Sequence, residues 1–511
     1  MNLEPNFTPA RWLTLASVLL TGPSTATTPE SQDQIITDRW HVVLIDGSRV
    51  GFEHEKVVRR NDRFVTETEL KITMRRGSAT VPLYQRSTFS ETIDGQPLEG
   101  TSTLNMGLGA ATTTYRFGAD WIEKHSAGAR KAEQLPPIDG KWLTPQALER
   151  HVQDQITQGA DRIEARTVDF SLHPIPFDMT MQIVGQKKVE VFGKIVPAIM
   201  WDLTQSLMPG LTIREYVDKQ GRNIKTTMTL PGNLTCTVLL ADEQLAKSKV
   251  DPPEIMASTL IHPDRAIKRP RLLKSAIYEI YIVGRQSNNS IKLPRSGFQK
   301  VVWGDTNTAR VIVDLDESVN PIDDLPAAEH EAHSAMVNHE DKSIQQLVAE
   351  AIGDSPDEVH DRVKAQRLRE FVHDFVVKKD LSVGFATASD VARTAQGDCT
   401  EHAVLLAALL RASGIPSRTA SGLIYAEQFL NHTDVFGYHM WTQAWLPGED
   451  DTAGRWVDLD ATLKHRDFDA AHITLSVSSL HDSVMANDIM QLAPLVGTLK
   501  VKIIESHGGT H

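Results

Sequence analysis

Cysteine is scarce in this chain, whose 511 residues include only Cys236 and Cys399. Two cysteines exclude a disulfide-stapled fold, and they supply too few thiolates for a structural zinc site. Cys236 lies in the alternating stretch NLTCTVLLA, where we expect a small buried hydrophobic side chain. The sequence leaves open a disulfide between the two residues, which would block any chemistry by Cys399.

Basic residues are outnumbered as well, because 53 Lys and Arg stand against 66 Asp and Glu, giving a formal net charge of −13. No stretch gathers lysine and arginine into a stripe, so we expect no nucleic-acid partner. Long apolar runs are also missing, since no segment approaches the ~18 residues that a membrane helix needs. The composition therefore predicts a globular protein without a stable membrane span.

The first 26 residues are typical of a secretory signal peptide. Arg11 precedes an apolar stretch at residues 12–20, and residues 24–26 (Ser-Thr-Ala) supply a small-x-small cleavage pattern. The apolar stretch is too short for a membrane anchor. We predict a signal peptide over residues 1–26 and export to the periplasm or the extracellular space. A disordered leader on a cytoplasmic protein is the alternative.

The chain has room for two to four domains, and its character changes along its length. Residues 27–245 are predicted to form a β-rich antiparallel module, in which RFVTETELKITM alternates in polarity and Asp46-Gly47 marks a hairpin turn. One helix interrupts this module, with Thr144 as N-cap and Pro145 at its first position. The segments predicted to follow are a linker with a small three-stranded β segment (246–325), a polar linker (326–342), and a mixed helical and β domain with a C-terminal extension (343–511).

Cys399 stands at the predicted start of a buried helix. Asp398 is a suitable N-cap, and Glu401 three residues on completes a capping box. The helix is predicted to run from Cys399 to Ser413 and to stop at Gly414. Its circumference is apolar almost all round, which indicates burial. Thiols at helix N-termini have lowered pKa values and act as nucleophiles, so we predict that role for Cys399.

A thiolate nucleophile needs a base, and the base needs an orienting group. Downstream, the strand-like segments YHMWTQAWL and RWVDLDATL flank a loop. If Leu446 pairs with Arg455, His439 lies on the same face as Asp460, one diagonal step away and within reach of a hydrogen bond. Asp458 shares that face and is the alternative partner. The register alone therefore predicts a histidine–carboxylate pair.

Three blocks, GDCTEHAVLLAALLRASGIPSR, GYHMWTQAWLPG and WVDLDAT, resemble those of the transglutaminase-like superfamily, in which Cys, His and Asp occur in that order. The resemblance extends over about a quarter of the chain, from Ser343 to Leu463. It implies a papain-like fold, with a helix bearing Cys399 packed on an antiparallel sheet bearing His439 and Asp460. The expected fold class is α+β, with this core preceded by the large β-rich module.

The resemblance also implies roles for the catalytic residues: Cys399 as nucleophile, His439 as base and acid, and Asp460 as the orienting carboxylate. The sequence departs from the family pattern in two places. Ala461 follows the aspartate where the family often has proline. Animal transglutaminases stabilise the oxyanion with a tryptophan upstream of the cysteine, whereas no tryptophan lies between Trp303 and Cys399 here.

The oxyanion donors are therefore only partly predicted. The backbone N–H of Cys399 can donate one hydrogen bond to the oxyanion. Gln396 is a candidate for the second donor, with an exposed turn residue as the alternative. His402, one turn after Cys399, is a candidate lining residue, although a packed or solvated histidine is the commoner case.

These residues predict a thiol-dependent acyl-transfer enzyme that acts on peptide or glutamine-type amide bonds through a cysteine thioester. Hydrolysis by a cysteine protease or amidase is favoured slightly over transamidation, because the superfamily members with a bacterial-type pattern include proteases and amidases. We expect a protein or peptide substrate, no cofactor and no catalytic metal. The alternative is a non-catalytic, exported binding or envelope-associated protein with a vestigial triad.

A metal enzyme is a further alternative, based on the stretch EHEAHSAMVNHED with His330, His333 and His339. Zinc peptidases use H-E-x-x-H, so that two imidazoles fall one helical turn apart. Here the pattern is H-E-x-H, one residue short, in a polar setting. We therefore predict no metal site in this stretch.

Overall fold

The computed structural model describes most of the chain from residue 33 to residue 508. The described residues are 33–76, 79–105, 110–126, 131–170, 174–208, 211–230, 234–254, 257–283, 292–316, 324–353, 359–378, 386–448, 454–464, 467–481, 492 and 495–508. The predicted signal peptide lies outside them.

Within these residues strands predominate over helices. The strands are β1 Gln34–Ile45, β2 Ser48–Arg60, β3 Arg63–Arg76, β4 Ala79–Thr92, β5 Pro97–Asn105, β6 Ala110–Phe117, β7 Ile122–Ser126, β8 Glu133–Leu135, β9 Arg162–Asp169, β10 Ile175–Val191, β11 Lys194–Gln205, β12 Ile213–Asp218, β13 Asn223–Leu230, β14 Leu234–Ala241, β15 Leu273–Ile282, β16 Gln299–Trp303, β17 Thr308–Asp314, β18 Ser417–Phe429, β19 His432–Leu446, β20 Arg455–Leu459, β21 His472–Ser478 and β22 Leu499–Gly508. The helices are α1 Pro145–Thr157, α2 Glu243–Lys247, α3 Lys342–Ile352, α4 Asp361–Phe375, α5 Ala388–Thr394 and α6 Cys399–Ala412. No helix among the described residues has the length and apolar character to cross a membrane.

The chain divides into two compact units. The N-terminal unit comprises the described residues within Met1–Arg75, Pro82–Met106 and Ala110–Pro253, and the C-terminal unit comprises those within Arg76–Val81, Gly107–Gly109 and Glu254–His511. The finer predicted division of residues 246–511 into two linkers and a domain stays a prediction.

The N-terminal unit is built on an antiparallel sheet of fourteen strands, in the order β8-β7-β6-β5-β4-β3-β2-β1-β14-β13-β12-β11-β10-β9. This confirms the predicted β-rich module, and β1 and β2 turn at Asp46–Gly47 as expected. Helix α1 begins at Pro145, as predicted, but the Thr144 hydroxyl does not cap it. Instead Thr144 donates to Glu91 of β4, whose buried carboxylate also accepts the backbone N–H of Gln146.

The C-terminal unit contains two four-stranded antiparallel sheets. The first has the order β16-β17-β15-β22, so the three strands predicted after the β-rich module do form, and the last strand of the chain joins them. The second has the order β20-β19-β18-β21. One hydrophobic core contains residues of both sheets, including Tyr278 and Val311 from the first and Phe436 and Ile473 from the second. The whole is mostly antiparallel sheet with few helices, an α+β arrangement.

Helix α6 packs against the second sheet. Its side chains are buried almost all round, as the sequence predicted, including Leu405, Leu406 and Leu409. The Thr442 hydroxyl of β19 donates to the carbonyl oxygen of Ala403 at 2.9 Å, which joins the helix to one of the two inner strands of the sheet. Helices α3, α4 and α5 cover other sides of α6. The start of α6 is thereby held rigidly against β19.

Substitution Leu406→Ala should lower the free energy of unfolding of the C-terminal unit by about 2–5 kcal/mol, because it leaves a cavity beside a fully buried helix. Chemical denaturation followed by circular dichroism measures this loss. Val363→Ala on α4 is the control, since Val363 is 42% exposed and its truncation should change stability by less than ~0.5 kcal/mol. Equal losses in the two variants would contradict the buried position of α6.

Candidate active site

Cys399 is the first residue of α6 and is half-buried, with a free thiol. Asp398 caps the helix by accepting the N–H of Thr400 at 2.9 Å. Glu401 completes the predicted capping box by accepting the N–H of Asp398 at 2.8 Å, and it also accepts the N–H of Ala386. Burial and the neighbouring Asp398 charge raise the pKa of Glu401 to about 8. These bonds fix the turn that carries the thiol.

Gly397 is required immediately before this turn. Its φ is +155°, which side chains rarely adopt, and an added Cβ would lie 2.2 Å from the Cβ of Glu401. Its N–H donates to the carbonyl oxygen of Lys378 at 3.1 Å. The glycine therefore lets the backbone pass closely over the capping side chain and enter α6 at Cys399.

His439 and Asp460 come together as the strand register predicted. Leu446 pairs with Arg455, β20 ends at Leu459, and Asp460 is the next residue. The Nε2 atom of His439 lies 2.8 Å from Oδ2 of Asp460. The imidazole is also hydrogen-bonded to Cys399. Because Nε2 faces the carboxylate, Nδ1 is the ring nitrogen left for the thiol.

Asp458, the alternative carboxylate, belongs to a different set of contacts. Its Oδ1 accepts Trp441 Nε1–H at 2.8 Å and Gln443 Nε2–H at 2.7 Å, and its Oδ2 accepts the backbone N–H of Phe298 at 3.1 Å. These bonds occupy both of its carboxylate oxygens, and none of them involves His439. The geometry therefore selects Asp460 as the partner of the imidazole.

The carboxylate of Asp460 is buried and accepts four hydrogen bonds. Oδ2 lies 2.8 Å from His439 Nε2 and 3.2 Å from His472 Nε2. Oδ1 accepts the backbone N–H of Thr462 at 2.8 Å and its hydroxyl at 2.7 Å. Burial alone would raise the pKa of Asp460, but the charges and hydrogen bonds of the two histidines hold it well below its usual range. Asp460 is therefore ionised and fixed in orientation.

The same interactions keep His439 protonated. Burial favours the neutral ring, but the Asp460 charge, the electrostatic interaction with Cys399 and the hydrogen bonds to both raise the pKa of His439 to about 9. The side chain of His439 is only 8% exposed. Cys399, the His439 imidazolium and the Asp460 carboxylate thus follow one another in space, at the end of a buried helix.

Sequence reasoning missed a second histidine–carboxylate pair behind Asp460. His472, the first residue of β21, has Nδ1 3.0 Å from Oδ1 of Asp469. Asp469 in turn lies 2.9 Å from Arg271. Both His472 and Asp469 are fully buried. The available signal was Asp and His three residues apart, directly ahead of an apolar strand.

The ligand atoms of His439, Asp460 and His472 lie within 4.8 Å of one another, close enough to hold a metal ion. Each of these atoms, however, already has a hydrogen-bonding partner within the group, and Asp460 has a full set of four. These hydrogen bonds account for the close approach of the three side chains, and the expectation of no catalytic metal stays a prediction.

The histidines of the EHEAHSAMVNHED stretch lie close together in sequence but make different contacts. His330 accepts the N–H of Ala327 and packs edge-on against Trp456. His333 and His339 have ring centroids 5.9 Å apart. Among the described residues these three do not form a metal-binding group.

The remaining residues named from the sequence have defined places. Cys236 is buried in β14 with a free thiol, and burial raises its pKa to about 12, so the expectation of a small buried side chain is confirmed and no disulfide links it to Cys399. His402 is buried, with Nδ1 2.6 Å from the carbonyl oxygen of Asp398. Gln396 is half-buried, and its role as an oxyanion donor stays a prediction.

The family model of the transglutaminase-like superfamily matches residues 345–461, which contain Cys399, His439 and Asp460. The C-terminal unit thus carries a domain of this superfamily, as the resemblance of the three sequence blocks indicated. No curated protein sequence matches the chain significantly.

Three solved structures show weak similarity to parts of the chain. An inferred cysteine protease from Cytophaga hutchinsonii is 15% identical over 47% of this chain and 85% of its own length, with a TM-score of 0.26. The periplasmic domain of TgpA from Pseudomonas aeruginosa, bound to ethylmercury, is 14% identical over 40% of this chain and 89% of its own length, with a TM-score of 0.24. A β-barrel-like protein of unknown function from Brucella abortus is 10% identical over 41% of this chain and 98% of its own length, with a TM-score of 0.31. Scores this low support no conclusion about function.

Substitution Asp460→Asn should lower the pKa of His439 from about 9, because the carboxylate charge that favours the imidazolium is lost. Two-dimensional NMR of ring-labelled histidines measures this pKa, with the signal assigned by its absence in His439→Gln. Asp458→Asn is the matched control, since it makes the same change on a buried neighbour whose hydrogen bonds go to Trp441, Gln443 and Phe298. An unchanged His439 titration in Asp460→Asn would show that the pairing is wrong.

Proposed function

We propose that the C-terminal unit, with its transglutaminase-like domain at residues 345–461, is a thiol-dependent acyl-transfer enzyme acting on peptide or glutamine-type amide bonds. Cys399 is the nucleophile, His439 the general base and acid, and Asp460 the group that orients the imidazole. One observation carries the proposal: a buried imidazole lies between an ionised carboxylate and a thiol at the N-terminus of a buried helix. A structural cysteine needs neither an imidazole partner nor a buried carboxylate behind that partner.

In the resting state the thiolate and the imidazolium form an ion pair. The positive end of the α6 dipole, at which Cys399 lies, favours the negative charge of Cys399. Asp460 favours the positive charge of His439 from the opposite side of the ring. The pair is therefore prepared for attack before substrate arrives.

The thiolate of Cys399 attacks the carbonyl carbon of the amide and a tetrahedral oxyanion forms. The backbone N–H of Cys399 donates one hydrogen bond to that oxygen. The Cδ–N or peptide C–N bond then breaks, and His439 donates its proton to the departing ammonia or amine. The products of this half-reaction are a thioester on Cys399 and a neutral imidazole.

In the second half-reaction the neutral His439 takes a proton from water as the water attacks the thioester, which releases the acid and restores the ion pair. A primary amine in place of water would give a new amide bond. We propose hydrolysis as the main outcome, with a protein or peptide as substrate. We also propose that the fold around Cys399 is papain-like, because α6 packs on the antiparallel sheet that bears His439.

The position of the protein in the cell is a separate proposal. We propose that residues 1–26 are a signal peptide and that the enzyme acts outside the cytoplasm. Expression with a C-terminal tag, followed by fractionation and N-terminal sequencing, tests this proposal without reference to activity.

Labelling by a thiol-directed probe that mimics an amide should depend on Cys399 and not on Cys236. We expect Cys399→Ala to abolish labelling and His439→Ala to reduce it at least ~10²-fold at neutral pH, since the base is lost. Cys236→Ala is the matched control, because Cys236 is a buried free thiol distant in sequence from the domain, and it should label like the wild type. Labelling that survives in Cys399→Ala, or that is absent from the wild type, would favour the non-catalytic alternative.

Mass spectrometry of a glutaminyl peptide incubated with and without a primary amine distinguishes hydrolysis of the thioester from transamidation. We expect the peptide to be cleaved or deamidated, and the amine to be incorporated only as a minor product. Both reactions should vanish in Cys399→Ala. Quantitative incorporation of the amine would show that the enzyme is a transamidase.

A further inference from the structure

A row of side chains with alternating charge leads from the protein surface to the proposed catalytic pair. Arg271 lies 2.9 Å from Asp469, Asp469 lies 3.0 Å from His472, His472 lies 3.2 Å from Asp460, and Asp460 lies 2.8 Å from His439. Arg271 is 36% exposed, whereas the three residues behind it are buried. The proposed mechanism uses only the inner two members of this row.

Both ring nitrogens of His472 face carboxylates. Nδ1 meets Oδ1 of Asp469, and Nε2 meets Oδ2 of Asp460. An ionised carboxylate only accepts hydrogen bonds, so each nitrogen must carry a hydrogen and the ring must be an imidazolium. Burial lowers the pKa of His472, but the Asp469 charge and the hydrogen bonds to both carboxylates outweigh this and raise it to about 9. His472 therefore holds a positive charge inside the unit.

The ring of His472 is fixed in place by packing as well as by hydrogen bonds. Its centroid lies 4.3 Å from that of Phe468 and 5.2 Å from that of Trp441, the latter edge-on. The centroid of His439 is 5.7 Å away. The fixed imidazolium is thus a near neighbour of the proposed general base and shares one carboxylate oxygen with it.

We propose that His472, held by Asp469, is a positioning residue for the proposed thiol enzyme: it fixes the Asp460 carboxylate and sets the pH range over which the Cys399–His439 ion pair exists. This inference rests on the proposed function. His472 touches neither substrate nor thiol, and it acts through Asp460.

The first effect of His472 is orientation. Three residues hold the Asp460 carboxylate, and His472 is the one that shares Oδ2 with His439. Without that donor, Oδ2 has one partner fewer and the carboxylate is free to rotate about the Thr462 contacts. The imidazole of His439 then loses its fixed direction toward Cys399.

The second effect of His472 is electrostatic. The groups that face it are Asp469 from the preceding turn, Asp458 and Asp460 at the end of β20, and His439 on β19. A positive charge at His472 makes every nearby deprotonation easier. Removing that charge while keeping the hydrogen-bond donor should therefore move the titration of the Cys399–His439 pair to higher pH.

The test uses the full chain carrying Cys236→Ala, so that Cys399 is the single thiol. The second-order rate of alkylation by iodoacetamide is measured against pH, which needs no knowledge of the substrate. Three variants are compared in this background. His472→Gln keeps a donor near Nε2 without charge, His472→Leu removes both, and His330→Gln replaces a buried histidine that packs against Trp456.

We expect the pH profile of His472→Gln to keep its shape and to shift upward by about one pH unit, as fits the loss of one partly compensated charge about 6 Å away. His472→Leu should shift and also lose ~10-fold or more in rate at neutral pH, because Asp460 is no longer fixed. His330→Gln should leave the profile unchanged. A His472→Gln profile that coincides with the parent, or a His472→Leu variant that retains full rate, overturns the proposal.

Failure of the proposed function has a different signature. If the parent protein shows the simple titration of an ordinary thiol and is insensitive to His439→Ala, Cys399 is not activated and the proposed function fails. If the alkylation rate of the parent follows the pH profile of a thiolate–imidazolium pair and His472→Gln leaves that profile unchanged, the proposed function stands and this inference fails. Protection of the parent by added Zn²⁺, lost in His472→Gln, would show a metal centre and overturn the positioning role.

Discussion

The buried negative charge of Asp460 is the constraint on which the site depends. A carboxylate removed from water is costly unless hydrogen bonds and opposite charges replace its hydration. Here His439, His472 and Thr462 supply four donors to its two oxygens. None of these donors can move away without leaving a buried charge short of a partner. The direction of the His439 ring is therefore tied to the stability of the C-terminal unit, and the geometry of the proposed site is kept by the same interactions that keep the fold.

The burial of α6 complements this constraint. A helix covered on all sides leaves a side chain accessible only at an end, and Cys399 occupies the end where the positive pole of the helix dipole lies. The Thr442–Ala403 hydrogen bond lies one turn into the helix and three residues along β19 from His439. It joins the two elements beside Cys399 and His439, so the thiol and the imidazole are positioned by a helix on one side and a strand on the other.

Local patterns predicted the parts of the site that depend on short stretches of chain. The capping box of Asp398 and Glu401 and the β19–β20 register could be read because each involves residues close in sequence. The role of His472 could not be predicted from the sequence, because β21 lies beside β18 and not beside β20. The register of the β19–β20 hairpin therefore gives no information about it. The contact of Arg271 could not be predicted for a similar reason. Its stretch of sequence is typical of a linker, and its partner Asp469 lies almost 200 residues later in the chain. Long-range pairing, such as β15 with β22, has no signature in a single sequence.

The charges in the site also make the stability of the C-terminal unit depend on pH. The carboxylate loses its contribution at low pH, and the histidines lose theirs at high pH. Asp460, with its folded pKa depressed, contributes stability that is present above its unfolded pKa of about 4 and is lost as the pH falls. His439 and His472, raised to about 9, contribute stability that is present below about 6.5 and is lost as the pH rises toward 9. The pKa shifts of the histidines and of Asp460 arise from the same ion pairs, so their contributions to stability do not add. The row is thus most stabilising between about pH 4 and 6.5, and at higher pH the deprotonation of either histidine would leave Asp460 with an unbalanced buried charge.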